Sequence, residues 1–301
     1  MTLDGFEVWR GGVNAWQCDQ MGHLNVRFYV AHAMEGLVGL AGALGMGSAF
    51  AARGAASLVV REHHIRFLKE ARAGDPLHMT AGLLDMGEDD ARVLMLLKHS
   101  GEGAPAAVIQ TLVRHAAVTD GRRFPWPRSA RARAESLRTR LPDGLGPRSL
   151  KPGAAVGGTS LAEAESAGLI SYGAGAFGPE HCDVFGRVAA HQLMARLADG
   201  AAQGIGVTRA AVGDSIGLAV VEYRIIYLDS PRAGDRFVVR AGLARAEPRR
   251  LEWSYWMFDP DNGAPRASAR SVLVPFDLQA RKAMTLPDDA VARLRERVVA
   301  S

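Results

Sequence analysis

The chain contains the same two sequence blocks twice, in the same order. Residues 16–24 read Trp-Gln-Cys-Asp-Gln-Met-Gly-His-Leu and residues 180–188 read Glu-His-Cys-Asp-Val-Phe-Gly-Arg-Val, sharing Cys-Asp-x-x-Gly at an offset of 164. A second block, 58–75, matches 218–235 at an offset of 160, and both copies end in Arg-Ala-Gly-Asp. Two ordered matches at nearly equal offsets indicate a tandem repeat of a unit of roughly 130 residues, which is typical of paired domains rather than of a solenoid.

The composition is that of a soluble globular protein. The chain has 301 residues, of which 48% are hydrophobic and 23% are charged, enough for two domains of ordinary size. No apolar run approaches the about 20 residues that a membrane span needs, and residues 1–15 lack the apolar segment of a signal peptide. The only two cysteines occupy equivalent places in the repeats, and we expect both to be free thiols in a cytoplasmic protein.

The segment between the repeats is strongly basic. Only Glu135 and Asp143 oppose its nine basic residues, which are Arg122, Arg123, Arg128, Arg131, Arg133, Arg138, Arg140, Arg148 and Lys151. Two interpretations stand: a solvated linker, or a surface that attracts phosphate groups such as those of a nucleotide-bearing thioester. The sequence lacks the aromatic interleaving or motif of a nucleic-acid-binding protein, so we expect no nucleic-acid partner. We expect residues 120–165 to cross the back of the molecule, with some helix around 129–140.

The residue pattern of each half predicts one strand, then one buried helix, and then four strands that form a meander. In the first half, apolar residues recur at helical spacing from Val26 to Leu44, and the glycines within that helix would let a sheet wrap closely around it. The predicted strands are 5–15, 57–69, 76–87, 91–100 and 105–119 in the first half, and 168–178, 216–229, 235–246, 250–258 and 266–276 in the second. The second half also predicts a helix over 187–203 and a short last helix over 287–299.

The segment from Asp19 to Tyr29, Asp-Gln-Met-Gly-His-Leu-Asn-Val-Arg-Phe-Tyr, resembles a known signature. Members of the 4-hydroxybenzoyl-CoA thioesterase-like branch of the hotdog superfamily often read Asp-x-x-Gly-His-Val-Asn-Asn-x-x-Tyr there, and acyl-ACP thioesterases have a related segment. The resemblance implies an α+β double hotdog, in which each half is a long buried helix wrapped by an antiparallel sheet and the two sheets pair within the chain. It divides the chain into a hotdog at 1–120, a linker at 121–165 and a hotdog at 166–301.

The resemblance also implies the catalytic residues. Asp19 would act as general base or nucleophile on a thioester, His23 and Asn25 would orient substrate or water, and the backbone N–H groups near Val26 would hold the oxyanion. This chemistry is physically reasonable, since a thioester carbonyl needs a carboxylate within reach and N–H donors at a helix start carry partial positive charge. No metal ligands are spaced for a site, and no cofactor is expected beyond the CoA or phosphopantetheine of the substrate.

Structural interpretations compete with these functional ones. Asp19 can simply make an Asx turn, His23 can be a hydrogen-bonded structural residue and Asn25 can cap the helix. Glu35, a carboxylate within the helix, is expected to be partnered structurally, although some hotdog enzymes use a helix carboxylate. The second half has Asp183 at the position equivalent to Asp19, but it has Arg187 at the position equivalent to His23. The second copy of the turn is therefore either a second site or a degenerate one.

We therefore predict an acyl-CoA or acyl-ACP thioesterase. Two alternatives stay open. One is a protein that binds acyl thioesters without catalysis, which the presence of Asp in both halves disfavours. The other is a hotdog hydratase or dehydratase, which the four-residue spacing from Asp19 to His23 disfavours. We expect the intramolecular pair to be self-sufficient, with further homo-oligomerisation an open question.

Overall fold

The computed structural model describes residues 5–213, 216–280 and 282–299. The first half opens with β1 (Phe6–Gly12), continues through a 3₁₀ turn into α1 (Val26–Ala43), and ends with four strands and a short helix. Those later elements are β2 (Ala56–Phe67), β3 (Pro76–Met86), β4 (Asp90–His99), β5 (Pro105–Ala117) and α2 (Arg128–Ala134). The predicted helix and meander of this half are confirmed, with the ends of elements shifted by a few residues.

The second half repeats this order behind a short extra helix. It comprises α3 (Leu161–Ser166), β6 (Ile170–Ala176), α4 (Ala190–Asp199), α5 (Ala201–Val212), β7 (Ile216–Tyr227), β8 (Arg236–Glu247), β9 (Arg250–Phe258), β10 (Pro265–Asp277), β11 (Lys282–Ala283) and α6 (Asp288–Arg295). The strands β6 to β10 correspond in order to β1 to β5. The predicted strands of this half are therefore also confirmed.

One antiparallel sheet joins the two halves through their central strands. The strand order is β1-β3-β4-β5-β2-β7-β10-β9-β8-β6, with β11 paired to β10, so the second half reads as the mirror of the first. At the junction, β2 pairs with β7 and His64 lies opposite Arg224, its own counterpart at the offset of 160. A pseudo-two-fold axis therefore passes between these two residues. This is the double hotdog that the resemblance implied.

The core lies between the inner face of this sheet and the helices. Val30, Leu37 and Leu40 of α1 are fully buried, and α1 packs against α4 of the other half. A Cβ atom at Gly39 would come within 2.6 Å of the carbonyl oxygen of Val8 in β1. The glycine therefore permits the close approach of helix and sheet that the sequence predicted.

The single second-half helix predicted over 187–203 is wrong in its extent. The chain forms two helices there, α4 and α5, and the second continues to Val212. They meet at Gly200, where a Cβ atom would lie 2.2 Å from the ring of Tyr172 in β6. The break allows this aromatic ring to pack against the helix backbone, a tertiary contact that helical periodicity does not report.

Residues 121–138 have a counterpart in the second half. Pro127 precedes α2 and Pro287 precedes α6, with Trp126 and Leu286 buried just before them. The expected helix around 129–140 is confirmed as α2 and the 3₁₀ turn Glu135–Leu137. Because these residues repeat at the offset of 160, we propose that the first unit extends to about residue 138 rather than 120.

The remaining linker crosses the outer face of the sheet, as expected. Two repeat-equivalent carboxylates hold it there. Glu222 accepts hydrogen bonds from the backbone N–H groups of Arg148 (2.9 Å) and Ser149 (2.8 Å), and Glu62 accepts one from Gly153 (3.0 Å).

The same two carboxylates pair across the pseudo-two-fold axis. Glu222 lies 2.8 Å from Nε2 of His64, and Glu62 lies 2.9 Å from the guanidinium of Arg224. Burial alone would raise the pKa of Glu222, but the hydrogen bonds from His64 and from the linker backbone lower it overall. Glu222 is therefore a buried, charged anchor for the linker rather than a titrating group in an active site.

Candidate functional site

Asp19 organises the turn that leads into α1. Its Oδ1 accepts hydrogen bonds from the backbone N–H groups of Met21 (2.8 Å) and His23 (3.1 Å), an Asx turn completed by Gly22 at a φ of +75°. Within the described residues no hydrogen bond reaches Oδ2, and the side chain is exposed. The structural and functional interpretations of Asp19 are thus compatible, because each can use a different oxygen.

Asn25 is the N-cap of α1. Its Oδ1 accepts a hydrogen bond from the backbone N–H of Arg27 at 3.0 Å, so this oxygen satisfies one of the N–H groups that a helix start leaves without an intrahelical partner. Val26 is the first residue of the helix and lines the cavity described below. The positive end of the helix dipole therefore lies at the cavity, where an oxyanion would be stabilised.

The second repeated block packs directly against this turn. His23 and Arg72 form a bridge between their backbones, and Nε2 of His23 lies 3.0 Å from the Glu70 carboxylate and 3.1 Å from the Arg72 guanidinium. The Arg72 N–H donates to Asp75 at 2.9 Å, which fixes the Arg-Ala-Gly-Asp turn. The two sequence blocks that reveal the repeat therefore form one structural unit.

A cavity of about 760 Å³, here called the inner cavity, lies between the two halves. From the first half, it is lined by the Asp19 turn, the start of α1 and the segment after β2. From the second half, the end of α5, the beginning of β7 and the end of β10 contribute a mostly apolar wall. The apolar side chains of this wall include Val212, Ile216, Leu218, Val220, Phe276 and Leu278.

Tyr29 also lines the inner cavity, buried between the turn and Phe67, whose ring packs edge-on at 4.9 Å. Burial raises the pKa of the Tyr29 hydroxyl, and the nearby carboxylates of Glu70 and Asp19 raise it further. The group therefore stays a neutral hydroxyl, able to donate a hydrogen bond inside the cavity.

Sequence reasoning missed several residues of this cavity, namely Tyr29, Glu70, Arg72, Arg209 and the apolar wall. Signals existed for two of them. Tyr29 is the last residue of the family signature, and Arg72 begins the repeated Arg-Ala-Gly-Asp block. No sequence signal identifies the wall, because those residues reach the cavity only through pairing of the two halves.

The second copy of the turn has the same backbone arrangement but a different carboxylate environment. Oδ1 of Asp183 accepts from the N–H groups of Phe185 (2.8 Å) and Arg187 (3.0 Å), as in the first copy. However, Oδ2 accepts a hydrogen bond from the Arg187 guanidinium at 3.3 Å. Ala189 occupies the N-cap position of α4 and provides no side-chain cap. Both oxygens of Asp183 are therefore engaged.

The two cysteines and Glu35 lie where a structural role is expected. Cys18 and Cys182 are free, partly buried against the core, and each Sγ lies 3.7 Å from a backbone oxygen four residues earlier. Glu35 lies 3.0 Å from His32 on the same helix.

In the part of the chain that the structure describes, no group of three or more His, Cys, Asp or Glu could hold a metal ion. No helix among those residues is long and apolar enough to cross a membrane.

Solved structures with the same fold cover most of the chain. The 12:0-ACP thioesterase from Umbellularia californica aligns with a TM-score of 0.66 and 11% identity over 89% of this chain and 93% of its own. An acyl-ACP thioesterase from Bacteroides thetaiotaomicron aligns with a TM-score of 0.65 and 8% identity over 88% and 96%. The acyl-CoA thioesterase II TesB2 from Mycobacterium marinum gives 0.50, with 14% identity over 84% and 91%.

The search of curated proteins finds no match to the sequence. The sequence model of the thioesterase-like superfamily matches in two segments, residues 13–134 and 177–294, one in each half and each containing one copy of the Asp turn. Together the two segments span most of the chain. The chain belongs to the thioesterase-like superfamily.

Proposed function

We propose that the protein hydrolyses an acyl-CoA or acyl-carrier-protein thioester in the inner cavity. The observation that carries this proposal is Oδ2 of Asp19, which accepts no hydrogen bond from any described residue, at a cavity whose second-half wall is mostly apolar. Superfamily membership supports the reaction class, and the structural relatives include enzymes named for both kinds of substrate. In this proposal the acyl group packs against the apolar wall. Burial of each of its methylene groups there stabilises binding by about 0.8 kcal/mol.

In this proposal Asp19 acts through its free oxygen. In one route it accepts a proton from a water molecule that attacks the acyl carbon; the C–S bond then breaks, and the departing thiolate takes up that proton to leave as the free thiol. In the other route the carboxylate attacks the acyl carbon itself, the C–S bond breaks as the thiolate leaves and takes a proton from water, and water then hydrolyses the resulting anhydride to the free acid and the Asp19 carboxylate. Oδ1 remains bonded to the N–H groups of Met21 and His23, so the carboxylate keeps its orientation. Because the two oxygens have separate roles, Asp19 can stabilise the turn through Oδ1 and react through Oδ2.

The surrounding groups stabilise charge and position the substrate. The backbone N–H groups at the start of α1, near Val26, stabilise the oxyanion, and Asn25 contributes indirectly by fixing that helix end. His23, held by Glu70 and Arg72, lies beside the attacking group and orients water or substrate. Lys69, Arg72 and Arg209 also line the cavity and provide positive charge for the phosphates of CoA or phosphopantetheine.

The test is thiol release from a panel of short, long and aromatic acyl-CoA substrates, and from the matching acyl-carrier-protein thioesters. We expect Asp19→Asn to lower kcat/KM by about 10²- to 10⁴-fold, the usual contribution of a general base. The Asn oxygen can still accept the two turn hydrogen bonds, so this variant should keep its fold.

The matched control is Asp183→Asn, at the equivalent turn of the second half. We expect it to retain turnover within about threefold, because both oxygens of Asp183 already serve structural bonds. An unchanged rate in Asp19→Asn would exclude the proposed role of that residue. Substrate binding without turnover across the whole panel would instead support a non-catalytic acyl-thioester-binding protein.

A further inference from the structure

A second cavity lies on the opposite face of the sheet from the proposed site. This outer cavity has a volume of about 780 Å³ and is covered by linker residues 148–159 and by helix α3. Its floor is the outer face of the second half, with Arg224 from β7, Arg270 from β10 and Ser254 from β9. Because β2, β7, β10 and β9 form a continuous hydrogen-bonded ladder, a molecule in one cavity does not pass through the sheet into the other.

The lining of the outer cavity carries a large excess of positive charge. Among the described residues that line it, one is acidic, Glu252, and six are basic: Arg148, Lys151, Arg224, Arg245, Arg250 and Arg270. Arg224 pairs with Glu62, while Arg245 and Arg250 share Glu247 and Glu252. Within the described residues no side-chain ion pair involves the remaining three, Arg148, Lys151 and Arg270.

The floor also places like charges side by side. Arg270 lies directly opposite Arg224 on the neighbouring strand, an arrangement that destabilises a sheet when nothing compensates it. Arg224 is about nine-tenths buried, and its Nε has no hydrogen-bond partner among the described residues. An anion located between these guanidinium groups would neutralise the excess charge.

The equivalent surface of the first half shows what this region looks like without a cavity. The positions equivalent to Ser254, Trp256, Ser268 and Arg270 are Leu94, Leu96, Val108 and Gln110. There the leucines and valine form a small apolar cluster, which linker residues Leu141 and Leu145 cover. The second half therefore has two serine hydroxyls and an indole where the first half has aliphatic side chains, and the guanidinium of Arg270 where the first half has the neutral amide of Gln110.

We propose that the outer cavity binds a nucleoside phosphate. The phosphate groups would lie among Arg270, Arg148 and Lys151, which lack acidic partners, and the base would stack on the indole of Trp256, which lines the cavity and is only partly buried. The ligand is distinct from the acyl group in the inner cavity. Such a nucleoside phosphate occurs either as a free nucleotide or as the adenosine end of CoA, which share this chemistry.

The test is to titrate the full chain with ADP, with CoA and with inorganic pyrophosphate. Binding is measured by isothermal titration calorimetry and by the change in tryptophan fluorescence. We expect one ADP per chain, an affinity that decreases with salt, and pyrophosphate binding at least about tenfold weaker because it lacks a base to stack. Arg270→Gln should weaken ADP binding by at least about tenfold. Trp256→Phe should remove most of the ADP-dependent fluorescence change.

Two controls separate this site from the rest of the molecule. Arg128→Gln removes an exposed arginine that does not line the outer cavity, and Asp19→Asn alters the inner cavity; both should bind ADP like the wild type. Arg270→Gln also separates the two sources: if it weakens CoA binding as much as ADP binding, the adenosine end of CoA occupies the outer cavity, and if it weakens ADP binding alone, the ligand is a free nucleotide. Absence of ADP binding, equal binding of pyrophosphate, or ADP binding unaffected by Arg270→Gln would each overturn the proposal.

Discussion

The turns at Asp19 and Asp183 have the same backbone hydrogen bonds but leave different chemistry to their carboxylates. In both, one oxygen accepts two N–H groups and a glycine follows at positive φ. The second oxygen has no hydrogen-bond partner among the described residues in the first half, whereas in the second half it is bonded to Arg187. The comparison teaches that a residue pattern shared by two repeats reports the local backbone, whereas reactivity depends on the side chains around it.

The outer faces of the two halves differ in a similar way. The first half has an apolar cluster beneath the linker, and the second has a charged cavity at the equivalent positions. The strands have the same order and pairing on both sides, so the backbone does not require either solution. The side chains alone determine whether the linker packs tightly or encloses a space.

We expect the largest difference in stability between two variants that shorten equivalent side chains on the outer face, Leu94 in the first half and Ser254 in the second. Leu94→Ala should lower the free energy of unfolding by about 2–5 kcal/mol, because it leaves a void in a closed apolar cluster. Ser254→Ala should cost less than about 1 kcal/mol, because the hydroxyl faces an existing cavity. Urea denaturation of both variants gives the comparison. Equal losses would show that the two outer faces are packed alike.

A second prediction concerns pH and the junction between the halves. Burial lowers the pKa of His63 from 6.5 to about 3, and its Nδ1 lies 2.9 Å from the Tyr227 hydroxyl of the other half. The folded state therefore keeps this imidazole neutral while the unfolded chain protonates it below pH 6.5. Its contribution to stability is complete above that pH and is lost as the pH falls towards 3, by up to about 1.4 kcal/mol per unit.

The check is the free energy of unfolding between pH 7 and pH 4 for the wild type, His63→Gln and Tyr227→Phe. His63→Gln should show a shallower loss of stability on acidification. Tyr227→Phe removes the hydroxyl partner and keeps the imidazole, so it should lower stability by a similar amount at each pH. The same pH slope in the wild type and His63→Gln would contradict the assignment of a buried neutral imidazole.

The smallest effect is expected from exchanging the helix caps. Asn25 and Ala189 have nearly the same backbone angles, with φ, ψ of −63°, 141° and −66°, 143°. Asn25→Ala should cost about 1 kcal/mol, and Ala189→Asn should stabilise the second half by up to a similar amount. Denaturation midpoints of the single and double variants test both. If Ala189→Asn has no effect, the loss of the cap is compensated elsewhere in the second half.

Much of the fold could be predicted from the sequence because local patterns determine it. The repeat, the apolar periodicity of α1 and the turns between strands gave the order of elements, and the Asp turn located one side of the candidate site. The break at Gly200 could not be predicted, since it depends on packing of Tyr172 from a distant strand. The roles of Glu62 and Glu222 in holding the linker depend likewise on a contact between remote segments.

Two like units, each with an Asp turn before a buried helix, can be recognised from the residues alone. Folding establishes that the apolar wall of the inner cavity comes from the other half, that Asp183 is engaged by Arg187, and that the linker encloses a basic cavity. The physical reason is one of range. Hydrogen bonds within a turn join residues close in sequence, whereas cavities and charge environments form where strands far apart in the chain are brought together.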